Sequence, residues 1–272
     1  MAATALSVGV IIPSRLQRIE PESRTSKYFV ERAIASALAQ SVVVENNVRL
    51  SFIVGIDTDA DIPPHLAERS DIVWARSDGR SQAGALNAGI DAVGSQFDCI
   101  AFLEDDDRWN QNYLNLCSAA LRSYGFVSTT QLEVDEGGEI VRINDFPTPS
   151  GWIMRRDTLR RVGRFDPAMR WHLDNEWLGR LGDSGIRRCH LIDALAPATV
   201  ALAEQVRPWI ANVARLGGAN SELQRHTLLA PLVTRLVHSR SGMARIAADP
   251  ALIQESRTEY ATLNRRYGRI PW

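Results

Sequence analysis

The sequence predicts a mixed, mainly parallel β-sheet flanked by helices, followed by a C-terminal helical appendage. Short apolar runs of strand length alternate with helical-period runs through the first two thirds of the chain, the pattern of a sheet covered by helices. Two strand-like runs in succession at 126–143 break that order, so the sheet is mixed. Beyond about Leu195 the strand signal stops and helical spacing takes over.

LSVGVII (6–12) is a buried strand closed by Pro13, and residues 26–40 place Phe29, Val30, Ala33, Ile34, Ala37 and Leu38 at helical spacing. RLSFIVGID (49–57) is a second strand running into an acidic turn, and DIVWA (71–75) is a third. QAGALNAGIDAV (82–93) is a helix of small residues able to pack close to the sheet. DCIAFL (98–103) is an apolar strand ending in four acids, and helical period returns from Asn112 to Tyr124. FVSTTQLEVDEGGEIVRI (126–143) reads as two strands joined by a Gly-containing turn. A loop (144–151), a short strand GWIM, a helix from Asp157, a GRFDP turn and a helix opening near Asp174 follow. Residues 199–214, 219–238 and 243–266 read as helices. The expected division is a main domain over 1–195 and a helical extension over 196–272, which either packs on that domain or joins two copies as a homodimer.

The 272 residues carry 31 Lys and Arg against 32 Asp and Glu, a net charge of −1, and 45% are hydrophobic. That is an ordinary globular composition, long enough to bury its own core. The near-neutral balance argues against a dedicated nucleic-acid binder, which needs a basic excess to neutralise phosphates. Cys99, Cys117 and Cys189 are too few for a disulfide framework and fit a reducing compartment. The apolar run Leu6 to Pro13 is too short to span a membrane and lacks the basic segment of a secretory signal. The expected location is cytoplasmic, with peripheral membrane contact as the alternative.

Glu104-Asp105-Asp106-Asp107 follow CIAFL with no base before Arg108. If strand geometry continues, Glu104 and Asp106 point to one side and Asp105 and Asp107 to the other. One side then presents a carboxylate pair suited to a hard divalent cation, Mn²⁺ or Mg²⁺, that offsets the acids and a bound diphosphate. The plainer alternative is a solvated acidic turn. Asp57-Thr-Asp59-Ala-Asp61 has the spacing of a calcium loop, but Ile62 replaces the required glycine and Pro63-Pro64 prevent the turn. Asp57 is better placed at the carboxyl edge of the sheet, able to accept donors from a nucleobase or ribose. The stretch from Arg76 through Arg80 to Asn87 combines glycines, two guanidinium groups and a helix start, which suits an anion. Asp174 is either a helix N-cap or a carboxylate that takes a proton from a substrate hydroxyl. Trp152, Trp171 and His172 could wall a sugar, with Glu176 nearby as a further acceptor-side candidate.

VGVIIPSR, SQAGALNAGI, CIAFLEDDDRW and VGRFDPAMRWHLDNEWLGRL, in this order over roughly residues 6–192, resemble family 2 glycosyltransferases of the GT-A fold. The resemblance rests on a strand-Pro turn, a small-residue helix with an Asn, an fLDxDDxW metal motif and a GgFDexl…eDydlwlRl acceptor-side motif. It implies a GT-A-like fold and metal-assisted transfer from a nucleoside diphosphate sugar, with inversion, to the hydroxyl of a glycan, lipid-linked sugar or small molecule. Glu104 and Asp106 fall on the metal positions, with Asp107 at the following acid, and Asp174 falls on the base. Pro13, Ser14, Arg15, Asp57, Arg80, Asn87 and Asp105 fall on the nucleotide-sugar side. Glu104 replaces the usual first Asp, Leu173 the usual Glu before the base, and Arg15 stands where Asn or a similar residue is common. The alternatives are a sugar-phosphate nucleotidyltransferase, for which the Gly-rich basic loop after the first strand is lacking, and a catalytically degenerate nucleotide-sugar or carbohydrate-binding protein.

Overall fold

Alternation along strand β1 (Leu6–Pro13) sorts the core into two layers: Val8, Val10 and Ile12 face one and Ile11 the other, all fully buried. The computed structural model describes residues 5–19, 27–144, 146–193, 223–228 and 232–268.

On one face, helices α1 (Phe29–Leu38) and α5 (Tyr113–Leu121) cover the sheet with Val30, Ala33, Ile34, Leu114 and Cys117. Leu38, expected on the apolar stripe of α1, is instead 40% exposed at its last turn. On the other face lie α4 (Gln82–Ala92), α6 (Arg156–Val162) and α7 (Leu173–Asp183), with Leu86, Leu159 and Trp177 against Ile53 and Phe102. The small residues of α4 do what their size predicts. A Cβ on Gly89 would meet Ile11 Cγ2 at 2.6 Å, and one on Gly55 of β2 (Val48–Asp57) would meet the Ala85 carbonyl oxygen at 2.0 Å. Short helices α2 (Ser41–Val44) and α3 (Pro64–Ala67) sit in the connections around β2.

The main sheet has eight strands in the order β11-β10-β6-β9-β4-β1-β2-β3, with β3 (Ile72–Ser77), β4 (Cys99–Phe102), β6 (Phe126–Thr129), β9 (Ile153–Arg155), β10 (Arg188–Asp193) and β11 (Leu223–Leu228). Every pairing is parallel except the two made by β9, so the sheet is mixed and mainly parallel, as expected. A second sheet of four strands, β5-β12-β7-β8, joins β5 (Arg108–Trp109), β7 (Gln131–Asp135), β8 (Ile140–Asn144) and β12 (Val233–Val237).

Two expectations change. FVSTTQLEVD is not one strand: the chain leaves the main sheet after Thr129 and enters the second at Gln131, so the span to 144 holds three strands rather than two. Residues 219–238 are not helical where described, since β11 pairs with β10 and β12 with β5 and β7. Val233, Leu236 and Val237 stand at i, i+3 and i+4 and satisfy a helical stripe, but the strand edges of β5 and β7 are there to be paired, and pairing decides. Helix does return in α8 (Gly242–Ala248) and α9 (Pro250–Tyr267). The expected helix over 199–214 lies outside the described residues. Among the described residues, no helix is long and apolar enough to cross a membrane.

Candidate functional site

Parallel strands bring their carboxyl ends to one edge, and the register of β4, β1, β2 and β3 lines up the turns that follow them. Pro13 is buried opposite Gly55, and Asp57 is paired with Ser77. Ser14, directly after β1, donates its hydroxyl to Asp105 Oδ2 at 2.6 Å, across 91 residues of sequence. The Arg15 backbone N–H also reaches Asp105, while the Arg15 side chain is exposed.

Glu104 to Asp107 do not continue the strand. The Asp107 N–H donates to the Glu104 carbonyl at 3.1 Å, closing a turn, so the expected one-side, other-side alternation fails. The turn separates Asp105, held by Ser14, from Glu104, Asp106 and Asp107, each of which offers an oxygen within 4.8 Å of the others. Asp107 is 1% exposed and both its oxygens already accept, Oδ2 from Ser150 at 2.6 Å and Oδ1 from the Leu236 N–H at 3.1 Å. Glu104 accepts from Gln82 at the start of α4. Asp106 pairs through Oδ2 with His238 Nε2 at 2.9 Å, and its carbonyl accepts from Arg32 at 2.9 Å.

Crowding and burial act on the acids together. Burial, with the charges of Asp106 and Asp174 added, pushes the Glu104 carboxyl up to about 7. Burial and the Asp106 charge push Asp105 up to about 7, against the Ser14 bond. Burial also holds Asp107 well above the usual carboxylate range. Arg235 of β12 stands among them: burial works against its charge, but Glu104, Asp107, Glu133 and Asp106 outweigh it and hold the guanidinium protonated. The four carboxylates of the turn face two guanidinium groups, Arg235 and Arg32, and Glu104, Asp106 and Asp107 leave a hard, oxygen-rich set, which fits Mn²⁺ or Mg²⁺ at Glu104 and Asp106. His238 Nε2, bonded to Asp106, orients that carboxylate beside the set.

On the side expected to hold the nucleotide sugar, Arg80 takes a positive φ of 29° and pairs with Asp59, while Thr58 donates to Asp78 at 2.7 Å. These bonds tie the loop after β2 to the loop after β3 beside Asp57. Asn87 does not join them. It is 3% exposed and grips Phe165 from both sides, donating to its carbonyl at 2.9 Å and accepting its N–H at 2.8 Å. Its role is to hold the GRFDP turn.

Asp174, in the first turn of α7, accepts from the Asn175 N–H at 2.8 Å, and burial raises its carboxyl above the usual range. Of the expected acceptor wall, Trp171 and His172 are partly exposed beside it. Trp152 is not part of that wall: it is fully buried, its ring stacked 5.1 Å from Trp177 and its indole N–H bonded to the Pro147 carbonyl. Glu176 is not free for an acceptor either, since it is 1% exposed and paired with Arg180 at 2.8 Å. Ser150, Arg235 and His238 enter the site from loops and strands far along the chain and carry no local motif.

No family model matches the chain, and neither does any curated protein. Solved structures do. Residues 1–349 of S. aureus TarS in complex with UDP match at 10% identity over 86% of this chain and 61% of that one, with a TM-score of 0.54. A longer S. aureus TarS structure matches at 12% identity over 97% of this chain and 44% of that one, with a TM-score of 0.53, so the chain spans well under two thirds of TarS. The mannosyltransferase PcManGT from Pyrobaculum calidifontis, in complex with GDP-Man and Mn²⁺, matches at 12% identity over 96% of this chain and 87% of that one, with a TM-score of 0.50. At such identity these likenesses speak for the fold alone, and the fold of this chain is GT-A-like.

Proposed function

We propose that the chain is a family 2-type glycosyltransferase that moves a sugar, with inversion, from a nucleoside diphosphate sugar to a hydroxyl-bearing acceptor with the help of Mn²⁺ or Mg²⁺. The observation that carries this reading is the gathering of Ser14, Asp57 and the Glu104–Asp107 turn at one sheet edge, with Asp174 near enough for its charge to act on Glu104. The proteins of similar fold that were solved with UDP, or with GDP-Man and Mn²⁺, support it.

Glu104 and Asp106, the latter oriented by His238, would hold the cation, which would supply positive charge against the departing diphosphate. Asp57 and the tied loops beside it would hold the nucleoside, and Arg80, by exchanging Asp59 for phosphate, would bind the diphosphate. Asp174 takes the proton of the attacking hydroxyl as the new bond forms at the anomeric carbon and the bond to the diphosphate oxygen breaks. Its raised carboxyl is a stronger base than an exposed aspartate. Trp171 and His172 would border the acceptor.

A thermal-shift screen of nucleoside diphosphates with and without Mn²⁺, followed by an assay of diphosphate release from the matching sugar donor, tests the reading. A ligand at one hundred times its dissociation constant adds about 2.7 kcal/mol of stability. No stabilisation by any diphosphate rejects the donor assignment. Stabilisation without release, across many acceptors, supports the binding protein instead, and pyrophosphate release from a nucleoside triphosphate supports the nucleotidyltransferase.

A further inference from the structure

We infer that Glu259, on helix α9, is a positioning residue for the acceptor side: it holds the loop 170–172 and, through that loop, the first turn of α7 and Asp174. The inference rests on the transferase reading for what this loop serves. Three successive backbone N–H groups converge on the one carboxylate. Arg170 donates to Oε2 at 2.9 Å, and Trp171 and His172 donate to Oε1 at 2.9 and 2.6 Å. Consecutive amides turned toward one anion form a strong charge-assisted site, and here the anion comes from the chain itself.

His172 is the N-cap residue of α7, yet its side chain caps nothing there; its Nε2 pairs instead with Ser256 Oγ of α9 at 2.9 Å. The chain's entry into α7 is therefore set from another helix, and Asp174 lies two residues on. Arg170 and Trp171 also reach Glu255, at 3.0 and 3.4 Å.

Helix α9 does not depend on Glu259 for its place. Leu263 is 1% exposed within the core layer that holds Trp177. Tyr267 lies so close to Gly179 of α7 that a Cβ there would come within 2.6 Å of the ring, and its hydroxyl donates to Glu176 at 3.1 Å. Replacing Glu259 should thus release the loop while both helices stay docked.

The test uses the full chain as wild type, Glu259→Ala and Glu259→Gln. Amide exchange over 170–172 should quicken about tenfold or more in Glu259→Ala, because three N–H groups lose a charged acceptor. Calorimetric affinity for nucleoside diphosphate with Mn²⁺ should stay within about twofold, and kcat for transfer should fall about 10- to 100-fold, the cost of a displaced catalytic group. Glu259→Gln should recover most of the rate, since one carbonyl oxygen still serves Trp171 and His172. Unchanged exchange, unchanged kcat, or an equal loss of donor affinity in Glu259→Ala overturns the role while wild-type turnover leaves the transferase reading standing. Absence of turnover by the wild type with every donor overturns both.

Discussion

His238 Nε2 lies 2.9 Å from Asp106 Oδ2, joining residues 132 positions apart. The ring is 5% exposed and rests 5.7 Å from the Phe29 ring, so its orientation is set by packing as well as by the carboxylate. A histidine held this way orients the carboxylate it bonds. Asp106→Ala should abolish Mn²⁺-assisted nucleoside diphosphate binding with little change in melting temperature, because relief of its repulsion with Glu104, Asp105 and Asp107 offsets the lost His238 bond. His238→Gln should weaken Mn²⁺ by about 10- to 100-fold. Calorimetry checks both, and wild-type affinity in Asp106→Ala would rule out a metal site at this turn.

Proton and cation should compete. Glu104 and Asp105 are pushed up to about 7, above ordinary values of 4.5 and 3.8. Groups raised in the folded state stabilise it fully below the unfolded values, and that contribution is lost as pH rises through about 7. The metal-free chain should therefore lose stability between about pH 4 and 7, whereas Mn²⁺ affinity should rise over the upper part of that range, by up to about tenfold per pH unit for each proton displaced. Melting curves with and without Mn²⁺ from pH 5.5 to 7.5 measure this. A metal-induced shift that stays flat would contradict it.

Asp174→Asn separates binding from catalysis. The amide oxygen can still accept the Asn175 N–H, so the turn should persist, but the amide cannot take a proton. Donor and metal affinity should hold while kcat falls about 10²- to 10⁴-fold. A wild-type rate in this variant means that another group is the base, and Glu176, committed to Arg180, is not its natural replacement.

Asn87→Ala should act on the fold. It leaves the buried Phe165 N–H and carbonyl without their partner, at a cost of about 2–4 kcal/mol. Urea denaturation should show that loss, with nucleoside diphosphate affinity within about twofold of wild type at a temperature where both are folded. Lost affinity with intact stability would return Asn87 to the donor site.

Much of this protein is written in local pattern. Period-two alternation in LSVGVII and helical spacing in α1 are backbone geometry, and they determined which residues face the two core layers. The small residues of α4 announced its close approach to the sheet, and acids directly after an apolar strand marked the edge where the carboxylates gather. Tertiary structure decided the rest. It turned Asp105 away to Ser14 and enclosed Trp152 in the core. It spent Asn87 and Glu176 on internal bonds, made strands of 223–228 and 233–237, and carried Ser150, Arg235 and His238 to the acids. A residue's periodicity is set by its neighbours in sequence, whereas the partner of a polar side chain is set by whichever distant element folds against it. That burial, absent from any short window of sequence, is what raises the carboxyls.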